Sequence, residues 1–179
     1  MSFPYKWFLS LMTGATILFG AWWYFNQSPI QEFNYDRDAA EIKKIFERDL
    51  YWLTTSPDYS PEFMLKTKSP SQYDIRYFGQ LQIRVLREKG SLVGFTAYYM
   101  KTATLGFILF MDVNPEFRGK RYGEILIRYD FEDLKRRGAT RVELFTRINN
   151  ERALKLYKRV GMVETSYVED WGVYLAKDL

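Results

Sequence analysis

The chain has 179 residues, a formal net charge of +4 and 47% hydrophobic content, enough for one domain with its own core plus an appendage. It contains no cysteine and no histidine. That excludes disulfides, thiol nucleophiles and zinc sites built on Cys or His, and it leaves proton transfer to Asp, Glu, Tyr, Lys, a terminus or water.

Residues 7–25 (WFLSLMTGATILFGAWWYF) are uncharged and mostly apolar. As a helix they would reach about 28 Å, close to the hydrocarbon thickness of a bilayer. Trp7 lies at one end and Trp22, Trp23 and Tyr24 at the other, as interfacial aromatic belts require. The sequence AWWYFNQSP offers a poor cleavage site for a signal peptide, and only Ser10, Thr13 and Thr16 supply the polar positions expected of a buried core helix. The expectation is one N-terminal transmembrane helix over about 7–25, within an anchor and short linker of residues 1–29. Lys6 and the α-amine precede the span, and Arg37, Lys43 and Lys44 follow it. The charge count is nearly balanced and leaves the topology open.

The remaining residues, 30–179, read as one domain. Residues 30–35 alternate apolar and polar and predict a strand. Asp36 or Asp38 is placed to cap the following helix, on which Ile42, Ile45, Phe46 and Leu50 recur at helical spacing. Residues 54–80 are rich in Ser, Pro, Thr and Tyr and are broken at Pro57, Pro61 and Pro70. They predict short turns and no long element, in a stretch of the kind that often shapes a binding site.

Residues 81–87 and 92–100 read as antiparallel strands around a turn at 88–91. Residues 105–113 (LGFILFMDV) are apolar on both faces, which predicts a central strand. Residues 122–137 form an amphipathic helix, with Ile125, Leu126, Tyr129 and Leu134 inward, Glu132, Lys135 and Arg136 outward, and Gly138 ending it. A strand follows at 141–147. Asn149 or Asn150 caps a helix over 151–160 that Gly161 ends, and residues 164–168 pair with a last strand that closes at Leu175. The fold class is α/β, a mixed central sheet flanked by helices.

Between the apolar strand and the amphipathic helix lies Val113-Asn-Pro-Glu-Phe117-Arg118-Gly119-Lys120-Arg121-Tyr122-Gly123. The first turn of a helix presents unpaired N–H groups and about half a positive charge, so it attracts phosphate. Gly119 and Gly123 allow close main-chain approach, and Arg118, Lys120 and Arg121 add fixed charge. The combination points to a phosphate-bearing ligand held mainly by main-chain donors. Lys and Arg otherwise alternate with Asp and Glu, which describes solvated faces and predicts no nucleic-acid partner.

This loop resembles the acetyl-CoA loop of the GCN5-related N-acetyltransferase (GNAT) superfamily, Gln/Arg-x-x-Gly-x-Gly/Ala. Arg118 and Gly123 match its ends, and Arg121 stands where the middle glycine would be. Asn150-Glu-Arg-Ala153-Leu-Lys-Leu156-Tyr157-Lys-Arg-Val-Gly161-Met162 resembles a second superfamily segment, Asn-x-x-Ala-x-x-Leu-Tyr-x-x-x-Gly-Phe. The resemblance covers about 150 residues and implies a GNAT-like fold, with acetyl-CoA as cosubstrate, an amine as acceptor and no metal.

It further implies cofactor contacts from Met111, Asp112 and Val113 at the strand end. Others come from Phe117, Arg118, Gly119, Lys120, Arg121, Tyr122 and Gly123 in the loop, and from Asn150 and Tyr157. Tyr157 matches the tyrosine that many members use as general acid toward the CoA sulfur. The carboxylate positions that members use as base fall near Phe107 and Phe145, both apolar here. The remaining candidates are Glu143, two residues before Phe145, and Asp112. The expected protein is a membrane-anchored N-acetyltransferase, single-pass, with its catalytic domain facing the cytoplasm. The alternatives are a non-catalytic acyl-CoA-binding module and a transferase of longer acyl chains. Oligomeric state is not legible.

Overall fold

The computed structural model describes residues 29–57, 59–70 and 79–179. The expected transmembrane helix over 7–25 lies outside the described residues, among which no helix is long and apolar enough to cross a membrane. In chain order the elements are β1 (Ile30–Glu32), α1 (Tyr35–Leu53), α2 (Pro61–Thr67), β2 (Gln82–Glu88), β3 (Ser91–Met100) and β4 (Leu105–Val113). They continue with a 3₁₀ turn (Pro115–Phe117), α3 (Tyr122–Arg136), β5 (Arg141–Arg147), α4 (Glu151–Arg159), β6 (Val163–Val168) and β7 (Gly172–Asp178).

The seven strands form one sheet in the order β1-β2-β3-β4-β5-β7-β6. β4 is central, as its two apolar faces require. It runs parallel to β5, and every other neighbouring pair is antiparallel. On one face, Ile42, Ile45 and Phe46 of α1 and Met64 and Leu65 of α2 pack on Val85, Phe95 and Phe110. On the other, Ile127, Phe131 and Leu134 of α3 and Tyr157 of α4 pack on Tyr98, Ile108, Val142 and Leu144.

Four expectations need correction. β1 stops at Glu32 because Asn34 caps α1, accepting from the Arg37 amide at 3.0 Å. Asp38 completes the cap from the other side by accepting from the Asn34 amide at 2.8 Å, so neither Asp36 nor Asp38 is the N-cap. On α3 the buried face is Leu126, Ile127, Asp130, Phe131 and Leu134, while Ile125 points outward, 40% exposed. β7 runs three residues past Leu175, because its ladder to β5 continues to Asp178.

The feature that shapes the site is an irregularity in β4. Its pairing with β3 passes from Ala97–Phe110 to Tyr98–Ile108, leaving Leu109 as an extra residue, a bulge that bends the strand. Pairing with β5 spans only residues 105–108 against 141–144. Beyond Ile108 the two parallel strands part, and β4 keeps a free edge on that side. Its other edge is held tightly to β3, where a Cβ on Gly94 would lie 2.4 Å from the Asp112 carbonyl oxygen. Gly94→Ala should therefore force the end of β4 outward and cost about 1–3 kcal/mol. Urea unfolding would show this as a lower midpoint, and an unchanged midpoint would contradict the tight seating of β4.

Candidate active site

The parted strands enclose a cavity of about 340 Å³. Residues 108–113 of β4 form one wall and residues 144–146 of β5 the other, while Asn150, Ala153, Leu156 and Tyr157 of α4 close one side and Trp52 and Leu53 of α1 reach it from the opposite face of the sheet. No described residue of the 54–80 stretch lines it, so the expected role of that stretch in shaping a site is not met among the described residues. Met111, Asp112, Val113, Phe117, Arg118, Gly119, Arg121, Tyr122, Gly123, Asn150 and Tyr157 all line the cavity, and Lys120 does not.

The loop after β4 turns on two left-handed residues, Gly119 (φ 82°) and Arg121 (φ 63°). Arg121 is the N-cap of α3 without a side-chain capping bond. A left-handed backbone explains why the loop pattern has glycine at this position, and a side chain there costs about 1 kcal/mol. α3 opens with the amides of Tyr122 and Gly123, which have no partner within the helix. A Cβ on Gly123 would lie 3.1 Å from Leu156, so its small size lets α3 and α4 close over the loop.

Arg118 lines the cavity with its guanidinium tied to protein groups. Its Nε donates to the Val113 carbonyl at 2.6 Å, and its Nη2 donates to Asp49 at 3.0 Å and Asp112 at 3.3 Å. The guanidinium is thus already engaged by two carboxylates. Asp49 sits where α1 departs from helical geometry (φ −113°, ψ 20°), just before the turn that carries Trp52 and Leu53 to the cavity.

Asp112 is pushed up to about 6, first by burial and then by the charge of Asp49, against the pull of Arg118 and Arg48. It lines the cavity and is ionised at neutral pH. Burial, with Asp112 and Asp130 nearby, raises the Tyr157 phenol, which therefore keeps its proton. The Tyr157 hydroxyl has no hydrogen-bond partner among the described residues, and the side chain belongs to the buried cluster that includes Ile108, Leu144 and Val160. Asn150 caps α4 by accepting from the Ala153 amide at 3.3 Å, and its Nδ2 lies 3.5 Å from the Thr146 hydroxyl.

Glu143 is not brought to this site. It lies on the paired part of β5, opposite Phe107 and short of the point where the strands part. Its carboxylate faces Arg141 at 3.6 Å and Lys101 at 4.0 Å instead. Among the described residues no cluster of acids could hold a metal ion.

Residues not singled out in the sequence also converge here. Asp49 shares the spacing of Ile42, Ile45 and Phe46, so an acid on an apolar helix face was its available signal. Glu124, in the first turn of α3, lines the cavity with one buried carboxylate oxygen lacking a hydrogen-bond partner. Arg152 and Arg159 of α4 line it too. Nothing in local spacing marks those three.

The sequence profile of the acetyltransferase (GNAT) family matches residues 41–162. An uncharacterised N-acetyltransferase of Methanocaldococcus jannaschii is 41% identical over 59 residues, which is 33% of this chain and 26% of that protein. A Bacillus subtilis protein provisionally assigned as an alanine N-acetyltransferase of ribosomal protein bS18 is 33% identical over 94 residues, 49% of this chain and 60% of that protein. The matches thus span less than two thirds of either relative. The crystal structure of the ribosomal-protein-S18-alanine N-acetyltransferase from Escherichia coli superposes with a TM-score of 0.61 at 16% identity, covering 83% of this chain and 92% of that one, a likeness of fold.

Two outcomes follow from the local physics. Arg121→Gly should relieve the left-handed backbone and raise stability by up to about 1 kcal/mol, read as the urea midpoint. Asp112 holds a proton in the folded state between about pH 4 and about pH 6 that the unfolded chain has released, so its contribution to stability falls as pH rises through that window. Asp112→Asn should therefore gain on the wild type by about 2 kcal/mol between those limits. A constant difference across the window would place the Asp112 pKa near its ordinary value.

Proposed function

The chain belongs to the acetyltransferase (GNAT) family, and from that membership we propose that it transfers the acetyl group of acetyl-CoA to a primary amine. The observation that carries this reading is the parting of β4 from β5 beside a left-handed loop and a helix N-terminus. It sets a free strand edge, able to pair with an extended amide-bearing chain, next to main-chain donors suited to a diphosphate. Asp112 and Tyr157 lie between these features on the cavity wall.

Transfer forms a C–N bond and breaks a C–S bond. In this reading Asp112, ionised at neutral pH, takes the proton that the amine releases, directly or through a water molecule. Main-chain N–H groups on the unpaired edge of β4 stabilise the oxygen that gains charge. The Tyr157 phenol, kept protonated by its surroundings, donates to the departing sulfur. Glu143 has no part in it. The first acceptor class to test is the α-amine of a polypeptide, because the B. subtilis relative is provisionally named an alanine N-acetyltransferase of a ribosomal protein, and the amine of an alanine within a polypeptide is free only at the chain start.

We further propose that the chain divides into an anchor and linker of residues 1–29 and a GNAT domain of residues 30–179. In this reading residues 7–25 hold the protein in a bilayer as a single pass. The need for acetyl-CoA favours a domain on the cytoplasmic side. Arg121 at a glycine position favours a second reading, an acyl-CoA-binding module without turnover.

Thiol release from acetyl-CoA with an alanine-started peptide should exceed the rate without an amine. Binding of coenzyme A with no amine-dependent release across a panel of amines would support the module instead. Tyr157→Phe should lower kcat by about 10²-fold with little change in the KM for acetyl-CoA. Equal losses in both would argue against proton donation.

A further inference from the structure

The strand directions fix which end of the domain the N-terminal segment meets. β2 and β4 run parallel to one another, since each is antiparallel to β3, and β5 runs with β4. β1 is antiparallel to β2 and starts at Ile30 opposite Leu86, near the end of β2. The chain therefore enters the domain at the same end of the sheet where β4 and β5 deliver the cofactor loop and the cavity.

Packing gives the same placement. The Pro29 carbonyl accepts from the Arg87 amide at 3.2 Å. Ile30 is buried with Leu86, Val93 and Leu126 of α3, and Phe117 and Tyr122 of the loop pack on that cluster. Laterally, three strand spacings, about 14 Å, separate β1 from β4. Four peptide links join residue 25 to Pro29 and reach at most about 14 Å, whatever their conformation.

The same end carries apolar and cationic groups turned outward. Tyr51 and Trp52, at the end of α1, are 53% and 41% exposed, and Ile148, just after β5, is 41% exposed. Lys89, Lys120 and Arg121 are exposed on the turns nearest Pro29. Of the acids on those turns, Glu88 accepts from the Tyr122 hydroxyl, while Glu116 is exposed. Glu169 and Asp170 lie on the β6–β7 turn, across the sheet from β1. Exposed Trp and Tyr beside Lys and Arg suit a bilayer's headgroup layer.

We propose that this end of the sheet, with Tyr51, Trp52, Ile148 and Lys120, rests on the headgroup surface of the bilayer that residues 7–25 enter, so that the cavity opens at the membrane surface. The inference depends on the anchor proposed above. A short tether attached at the opposite end of the sheet would hold the site away from the lipid, whereas attachment beside the loop holds it close.

The chain has no cysteine, so a single introduced one labels a single site. Full-length Lys120→Cys, Ile148→Cys and Ala103→Cys would each carry a fluorophore, in nanodiscs whose lipids bear a headgroup nitroxide. Ala103 is exposed on the β3–β4 turn at the far end of the sheet. Quenching at 120 and 148 should exceed that at 103 severalfold. Equal quenching at all three sites, in chains that do enter the nanodiscs, overturns the docked orientation and leaves the anchor standing. Failure of the chain to enter nanodiscs removes the anchor and this orientation with it.

Discussion

The site depends on a backbone constraint, the extra residue at Leu109. A parallel pair of strands normally satisfies every facing amide and carbonyl, and β4 and β5 do so for only four residue pairs. The bulge turns the rest of β4 away, so the cavity is a break in the sheet lined by main chain. Everything else is arranged around that break. Gly94 lets β3 hold the outer edge of β4 without a side chain between them, and the 3₁₀ turn with two left-handed residues leads directly into α3.

The second organising element is electrostatic. The chain has no histidine, and in the proposed mechanism proton transfer is given to a carboxylate and a phenol whose surroundings move both from ordinary values. Burial and the neighbouring Asp49 raise Asp112 to about 6, and burial keeps Tyr157 protonated. Arg118 compensates the two carboxylates and ties the loop to the kinked end of α1. Side chains of α1 thereby reach the cavity from the face of the sheet opposite α3 and α4. A change at Asp49 would be felt in the charge of Asp112, in the loop and in the seat of Trp52 together.

Much of this was legible in the sequence. The apolar run of residues 105–113 announced a central strand, and the glycine-bearing basic loop followed by an amphipathic helix announced the corner at which the cavity lies. Nearly every residue expected at the cofactor came together. What failed were inferences across the sheet. Glu143 shares a face with Phe145, yet a sequence does not show where two strands stop pairing, and that point decides which residues of β5 meet the cavity. Arg118 looked free in the linear chain, and its partners lie 69 and six residues away. Ile125 was assigned inward by period alone, whereas α3 meets the sheet through Ile127 and Phe131, which that assignment passed over.

The ladder between β4 and β5 is also the seam of the domain. Strands β1 to β4 and the helices α1 and α2 come from the first part of the chain, and β5 to β7 with α4 come from the last. Within each part the strands are joined largely by antiparallel neighbours, whereas the join between parts is short, parallel and made only after α3 has crossed over. Contacts of that kind are entropically costly and late to form. A molecule lodged in the cleft touches both parts and rivets the sheet where its own hydrogen bonds are fewest, so occupancy and mechanical integrity are linked through one seam.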